Sequence, residues 1–304
     1  MSNPRPGTPP AAAGTPKAEI TIDAALVKAL LQAQHPDLSD APLEPIASGW
    51  DNAIFRLGEQ LCVRLPRRAA SAALLVNEQR WLPALKPRLP LPIPSPVRLG
   101  LPCASYPWHW SVLPWLAGAT ADQSHLRADQ GIVLAQFLKA LHVPAPPGAP
   151  HNPHRGVPLA QRAAAVEERM ERLDRRTRFV GTTIRSIWRD ALSAPMDVES
   201  TWIHGDLHAR NVLVHVQRLS AVIDWGDVCT GDCATDLAAV FMWLPDGNSR
   251  AMARAAYGGS PATWQRARGW AVVLGLVLLE TGLTDDPQHA AMGERILNNL
   301  NDGL

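Results

Sequence analysis

Two short stretches of this 304-residue chain concentrate groups suited to one chemistry. Ile203-His204-Gly205-Asp206-Leu207-His208-Ala209-Arg210-Asn211-Val212-Leu213-Val214 carries a carboxylate and, past four intervening residues, an amide. Ala221-Val222-Ile223-Asp224-Trp225-Gly226-Asp227 adds a second carboxylate at the end of an apolar run. Such a set reads as a phosphoryl-transfer site: one carboxylate orients an attacking hydroxyl, while the amide and the other carboxylate hold Mg²⁺ on a nucleoside triphosphate. The transition state is loose, so positioning and charge neutralisation carry the rate. Mg²⁺ keeps several waters and takes one or two protein carboxylates beside the phosphates, a role that fits Asn211 and Asp224. Asp206 has no evident partner that would lift its pKa far above the ordinary value of about 4. It is therefore expected to be ionised at neutral pH, to accept a hydrogen bond from the substrate hydroxyl and to take the proton late.

A lone D-x4-N is an ordinary turn pattern. Here it stands between an apolar strand, Thr201-Trp202-Ile203, and a second strand directly after Asn211, with a third strand ending at Asp224. Together with Gly231-Asp232-Cys233-Ala234-x-Asp236-Leu237-Ala238, these blocks resemble the aminoglycoside phosphotransferase family, the small-molecule branch of the protein-kinase-like fold, from about Thr21 to Leu300. The resemblance implies an α+β, bilobal architecture: a small antiparallel-sheet N-lobe for the nucleotide (19–116) and a larger, mostly helical C-lobe (117–304), after a disordered tail (1–18). It implies Asp206 as catalytic base, His208 close to the transferred phosphate, Asn211 and Asp224 as Mg²⁺ ligands and ATP or GTP as co-substrate. Asp236 would brace the catalytic loop.

The first residues after the tail predict a helix capped by Asp23, then three antiparallel strands at 43–48, 53–57 and 61–65. The turn Ser48-Gly49-Trp50-Asp51-Asn52 would cover the phosphates with backbone N–H groups that Gly49 lets come close, although its composition alone is that of a hairpin turn. On the third strand the family pattern calls for a phosphate-binding lysine. Arg64 stands there, and no lysine lies between Lys28 and Lys86. Arginine keeps the charge and grips two oxygens at once, with a different reach. Glu78, on a helix expected over 69–85, is the implied partner of Arg64. Strands near 97–99 and 110–113 follow, and residues 111–116, with Ser111 and Leu113, would be the hinge whose backbone meets the nucleotide base.

In the C-lobe, helices are expected at 128–142, 159–176, 232–244 with Asp232 as N-cap, 247–257, 261–282 and 286–300. The charged helix at 159–176, with Glu168 four before Arg172 and Glu171 four before Arg175, reads as a solvated face. Only about eight residues separate Asp224 from Asp232, too few for a peptide-docking activation segment, so the partner is a small-molecule hydroxyl. An aminoglycoside or related antibiotic is one such acceptor; an amino-sugar, choline or homoserine is another. For a polycationic acceptor the acids to consider are Asp227, Asp246, Glu280, Asp285 and Asp286. Trp243, Trp264 and Trp270 read as core packing.

Composition narrows the rest. Net charge is +1, from 29 basic and 28 acidic residues, so neither nucleic acid nor an acidic membrane surface is an expected partner. Cys62, Cys103, Cys229 and Cys233 form no C-x-x-C pair and read as free thiols. The tail has no apolar segment of a signal peptide, and the longest apolar run, 270–279, is too short to span a bilayer, so a cytoplasmic enzyme is expected. No G-x-S-x-G, G-x-x-x-x-G-K-[ST] or G-x-G-x-x-G turn occurs. The competing reading is a non-catalytic nucleotide-binding protein that retains the fold, with Arg64 and the glycine-poor turn as its supports.

Overall fold

Asp23 accepts a hydrogen bond from the Leu26 amide at 2.8 Å, satisfying one of the free N–H groups that open α1 (Ala24–Gln34). The protein is described here by a computed structural model, over residues 17–48, 50–284 and 286–301. The expected tail up to residue 16, Gly49 of the phosphate-covering turn and Asp285 among the acceptor acids lie outside the described residues. Two compact units emerge, residues 1–87 with 93–116, and residues 88–92 with 117–304.

In the first unit, β1 (Leu43–Ser48), β2 (Asn52–Leu57), β3 (Leu61–Pro66), β4 (Arg98–Gly100) and β5 (Trp110–Pro114) form an antiparallel sheet in the order β1-β2-β3-β5-β4. Alternate residues of β2 (Ala53, Phe55, Leu57) are buried with Val27, Leu30 and Leu31 of α1 and Trp110 of β5. The helix α2 spans Ala69–Leu85, as its spacing predicts, with Leu75, Glu78, Leu82 and Leu85 buried. Arg64 lies opposite Ile54 on one side and Ser111 on the other, in the middle of the sheet.

The second unit contains β6 (Ala119–Thr120), α3 (Gln130–Leu141), α4 (Ala163–Asp174), α5 (Thr182–Ser193), β7 (Thr201–Ile203), β8 (Val212–His215), β9 (Arg218–Val222), β10 (Cys229–Gly231), α6 (Ala234–Leu237), α7 (Ala239–Met242), α8 (Gly247–Tyr257), α9 (Pro261–Gly282) and α10 (Pro287–Asn301). β7 pairs with β10, and β8 lies between β6 and β9. The β8–β9 connection places Val216 and Gln217 at φ 48° and 61°, as a tight primed hairpin turn requires. α9 buries Trp270 and the apolar residues around it, and no helix among the described residues is long and apolar enough to cross a membrane.

Several expectations are corrected. The helix expected over 159–176 begins as a 3₁₀ turn at Leu159–Arg162 and continues as α4. Its charged face is not simply solvated: Arg169 and Arg172 both donate to Glu280 of α9, at 2.6 and 2.7 Å, while Glu171 meets Arg185 of α5 rather than Arg175. The helix expected over 232–244 is broken into α6 and α7. Asp232 Oδ1 still accepts from the Ala234 amide at 3.1 Å at the head of α6, and Arg266 shares that carboxylate through Nε at 2.8 Å and Nη2 at 3.2 Å in a buried pair. α5 had no expectation, although Ile184, Ile187, Trp188 and Ala191 fall at helical spacing and are buried.

Candidate active site

The segment between β7 and β8 hangs from a buried carboxylate. Asp236 Oδ2 accepts from the His204 amide at 2.6 Å and Oδ1 from the Gly205 amide at 2.9 Å, and Asp236 is fully buried. His204, also fully buried, accepts at Nδ1 from the Asp206 amide at 3.2 Å. Its proton is thereby fixed on Nε2, which donates to Ile223 O at 3.0 Å. Gly205 adopts φ 86°, and a Cβ there would come within 2.7 Å of Asp227 O. Backbone satisfaction and one required glycine thus set the direction in which Asp206 leaves the chain.

Asp206 presents two differently occupied oxygens. Oδ1 accepts from Arg155 Nη2 at 3.0 Å; Oδ2 lies 3.4 Å from His208 Nε2 and 3.4 Å from Asn211 Nδ2. Burial opposes its charge, but His208 and Arg155 outweigh burial and hold the carboxyl well below the usual carboxylate range. His208 accepts at Nδ1 from the Arg210 amide at 3.2 Å, which caps the short turn 209–211. Burial also disfavours charge on His208, yet the carboxylates of Asp206 and Asp224 raise its pKa above the ordinary histidine value. Asn211 donates through Nδ2 to Asp206 O at 2.8 Å, so its amide nitrogen is spent inside the loop and its oxygen is the atom left for another ligand.

Asp224 sits just past β9. The Ile223 amide donates to Asn211 O at 2.9 Å, which brings the residue before Asp224 alongside Asn211. Asp224 itself is exposed and holds φ 60°, a conformation that non-glycine residues rarely adopt and that strained functional positions often keep. An amide oxygen and one carboxylate on neighbouring segments suit Mg²⁺, which needs hard oxygens and leaves room for water and phosphate. Among the described residues no cluster of three or more His, Cys, Asp or Glu side chains could hold a metal alone. Asn211 and Asp224 are the groups on these two segments that could hold such a metal.

Arg155 is the residue that sequence reasoning missed. It lies in the proline-rich stretch 143–158, whose composition suggests only a connector. That stretch is strapped along β7 and β10: the Trp202 amide donates to Val143 O, the Thr230 amide to Pro150 O and the Asp232 amide to Gly156 O, at 2.9, 2.9 and 2.8 Å. Asn152 Nδ2 donates to Asp227 at 2.7 Å, and Gly156, at φ 67°, lies so close to Ile203 and Gly231 that any Cβ would clash. These bonds deliver Arg155 to Asp206, with its Nε 3.6 Å from Asp227. Burial and the charge of Asp206 raise the pKa of Asp227.

In the first unit Arg64 and Glu78 form the buried pair expected of them, with Nη1 shared between the two carboxylate oxygens at 2.9 and 2.8 Å. The Asn52 amide, turned with its oxygen inward, accepts from the same guanidinium at 3.0 and 2.8 Å. Ser111 and Leu113 are buried residues of β5, paired with Arg64 and Cys62; Ser111 Oγ accepts from Gln79 Nε2 at 3.0 Å. Among the acceptor acids, Asp246 caps α8, Glu280 holds two arginines, and Asp286 pairs with Arg210. Trp243, Trp264 and Trp270 are core, as read from the sequence.

A model of the phosphotransferase enzyme family matches residues 42–270, three quarters of the chain and all of the motifs above. The chain belongs to this family. Its fold is shared with solved enzymes at low identity. Aminoglycoside 2'-phosphotransferase-IIIa in its GDP complex is 18% identical, over 93% of this chain and 100% of that one, with a TM-score of 0.64. APH(2")-IIIa with GDP and kanamycin is 19% identical, over 91% and 99%, with a TM-score of 0.66. Macrolide 2'-phosphotransferase MphH from Brachybacterium faecium is 22% identical, over 91% and 98%, with a TM-score of 0.60. No curated protein matches this family member significantly by sequence. The family member has the small antiparallel sheet and the helical C-terminal part of those enzymes.

Proposed function

We propose that this phosphotransferase moves the γ-phosphate of ATP or GTP to a hydroxyl of a small molecule in the cytoplasm. The observation that carries the reading is the arrangement of Asp206, His208 and Asn211 on one loop pinned by Asp236, with Asp224 tied alongside through Ile223. Asp206 accepts the hydrogen bond of the acceptor hydroxyl and aims its oxygen at phosphorus. As the new O–P bond forms and the bond to the nucleoside diphosphate breaks, the hydroxyl proton passes to Asp206. Its depressed pKa makes this a late transfer. His208, held by the Arg210 amide at Nδ1, presents Nε2–H on the same side as Asp206 Oδ2 and supplies a hydrogen-bond donor beside the transferred phosphate. Asn211 and Asp224 would hold Mg²⁺, which when bound neutralises charge on the phosphate oxygens.

Arg64, paired with Glu78, would stand where the family's lysine meets the α and β phosphates, and residues 111–116 would meet the base. Related enzymes have been solved with GDP, ATP and ADP, which supports a nucleotide co-substrate without choosing between the bases. The test is nucleotide turnover with Mg²⁺ and either ATP or GTP across aminoglycosides, macrolides, sugars, sugar acids, choline and homoserine. Stimulation by an acceptor, lost in Asp206→Asn while nucleotide still binds, is expected. Failure to bind either nucleotide would favour a non-catalytic scaffold.

A further inference from the structure

Of the acids expected to receive a polycationic acceptor, the described ones are already committed. Asp227 accepts from Asn152 and faces Arg155, Asp246 is a helix cap, Glu280 bridges Arg169 and Arg172, and Asp286 meets Arg210 and the Gln288 amide. Beside the base stand arginines instead. Arg155 uses Nη2 on Asp206, and among the described contacts its Nη1 has no hydrogen bond. Arg162 donates through Nη1 to Nδ1 of His154, the residue before Arg155, at 3.1 Å. No carboxylate among the described residues pairs with Arg162, and its Nε is buried without a partner. Burial, and then the charges of Arg155 and Arg169, push its pKa down, the signature of a cation surrounded by cations.

A half-buried guanidinium that no acid neutralises is costly unless a ligand supplies the anion. We propose that Arg155 and Arg162 form an anion subsite beside Asp206, so that the acceptor is a hydroxyl compound bearing a carboxylate or phosphate rather than a polycation. The proposal rests on the phosphotransferase reading for its acceptor hydroxyl. Two guanidiniums close enough for the charge of one to act on the other offer paired donors that match the two or three oxygens of such a group. Arg155 then has two tasks: one edge steadies Asp206 and the other orients the acceptor, which places the acceptor's charge a few atoms from its reactive hydroxyl. A polycation brought to Arg155 and Arg162 meets like charge, so the subsite also discriminates against it.

Isothermal titration of the full chain, with Mg²⁺ and a non-hydrolysable nucleotide analogue present, tests the subsite. Nucleotide binding, titrated first on the same sample, examines the phosphotransferase reading separately. The probes are glucose, glucuronate, glucose 6-phosphate and kanamycin. Glucuronate or glucose 6-phosphate is expected to bind at least tenfold more tightly than glucose, and the tighter of the two identifies the preferred group. Arg162→Gln should erase that preference with nucleotide affinity unchanged, Arg162→Lys should keep most of it, and Arg162→Glu should turn it toward kanamycin. Tighter binding of kanamycin than of either anion by the wild type, or equal or absent binding of charged and neutral sugars, overturns the subsite.

Discussion

Arg64 and Arg155 each meet a carboxylate, and the two contacts differ in kind. Arg64 is buried in the middle of a sheet, its Nη1 within 2.9 Å of both oxygens of an equally buried Glu78. Arg155 stands on a loop, partly open to solvent, with one bond to Asp206 and a longer approach to Asp227. The first pair is a strut: two desolvated charges compensate each other, so neither can be removed alone. The second is exchangeable, because a part-exposed guanidinium with donors to spare can share itself between the base and a ligand. One residue type is thus held fast by a buried acid in the first unit, where it is proposed to meet nucleotide phosphates, and stands more open in the second, where it is proposed to meet the acceptor.

Several experiments would sharpen or break that contrast. Glu78→Ala should destabilise the first unit by about 3–5 kcal/mol, because it leaves Arg64 buried without its partner; urea denaturation reads the loss. A change near zero would mean that Arg64 relaxes to solvent and is no strut. Asp236→Ala should cost about 3 kcal/mol, since it strands two buried backbone N–H groups, and should lower turnover even under conditions where the protein stays folded. Arg64→Lys keeps the charge but loses the Nε and Nη2 donors that the Asn52 oxygen accepts, so nucleotide affinity should fall by about tenfold, measured by titration with ATP and GTP; a gain would instead mark the arginine as a compromised site.

Arg155→Gln should cost less stability than Glu78→Ala, because the pair is only partly buried, and should show itself in the pH profile. The depressed pKa of Asp206 keeps the base ionised through the neutral range, so the acid limb of kcat/KM lies at low pH. Removing Arg155 removes one of the charges that depress it, and the limb should move to higher pH. The same depression contributes folding stability above the unfolded-state carboxylate value of about 3.9, lost as the pH falls through the native value. An unmoved acid limb would disconnect Arg155 from the base. The smallest effect is expected from Glu168→Gln, whose exposed 3.9 Å pair with Arg172 is redundant with Glu280; melting temperature should not change measurably.

Much of the framework was legible because local physics writes it into short windows. Period-two burial marked β2, helical spacing marked α2 and α9, and Asp23 announced the start of α1. α5 was equally legible, since Ile184, Ile187, Trp188 and Ala191 repeat at helical intervals, but its polar remainder drew the eye elsewhere. The 232–244 segment misled for a different reason. Its helical composition and its Asp232 bond to the Ala234 amide held, while the break between α6 and α7 and the pairing of Asp232 with Arg266, 34 residues later, had no local sign. The proline-rich stretch gave no warning of Arg155, because a proline pattern fixes backbone direction and says nothing of where the chain is strapped.

The sequence by itself determined the reaction class, since Asp206, Asn211 and Asp224 sit within 19 residues in a pattern whose spacing is local. It also determined the charge balance and most of the helices and strands. The tertiary structure alone decided which groups modify those residues. Arg155 reaches Asp206 across 51 positions, Asp236 reaches the His204 amide across 32, and Glu280 is taken by arginines more than 100 residues away. Charges act through space over a few ångströms, and the chain separations that bring them there leave no period or spacing to read.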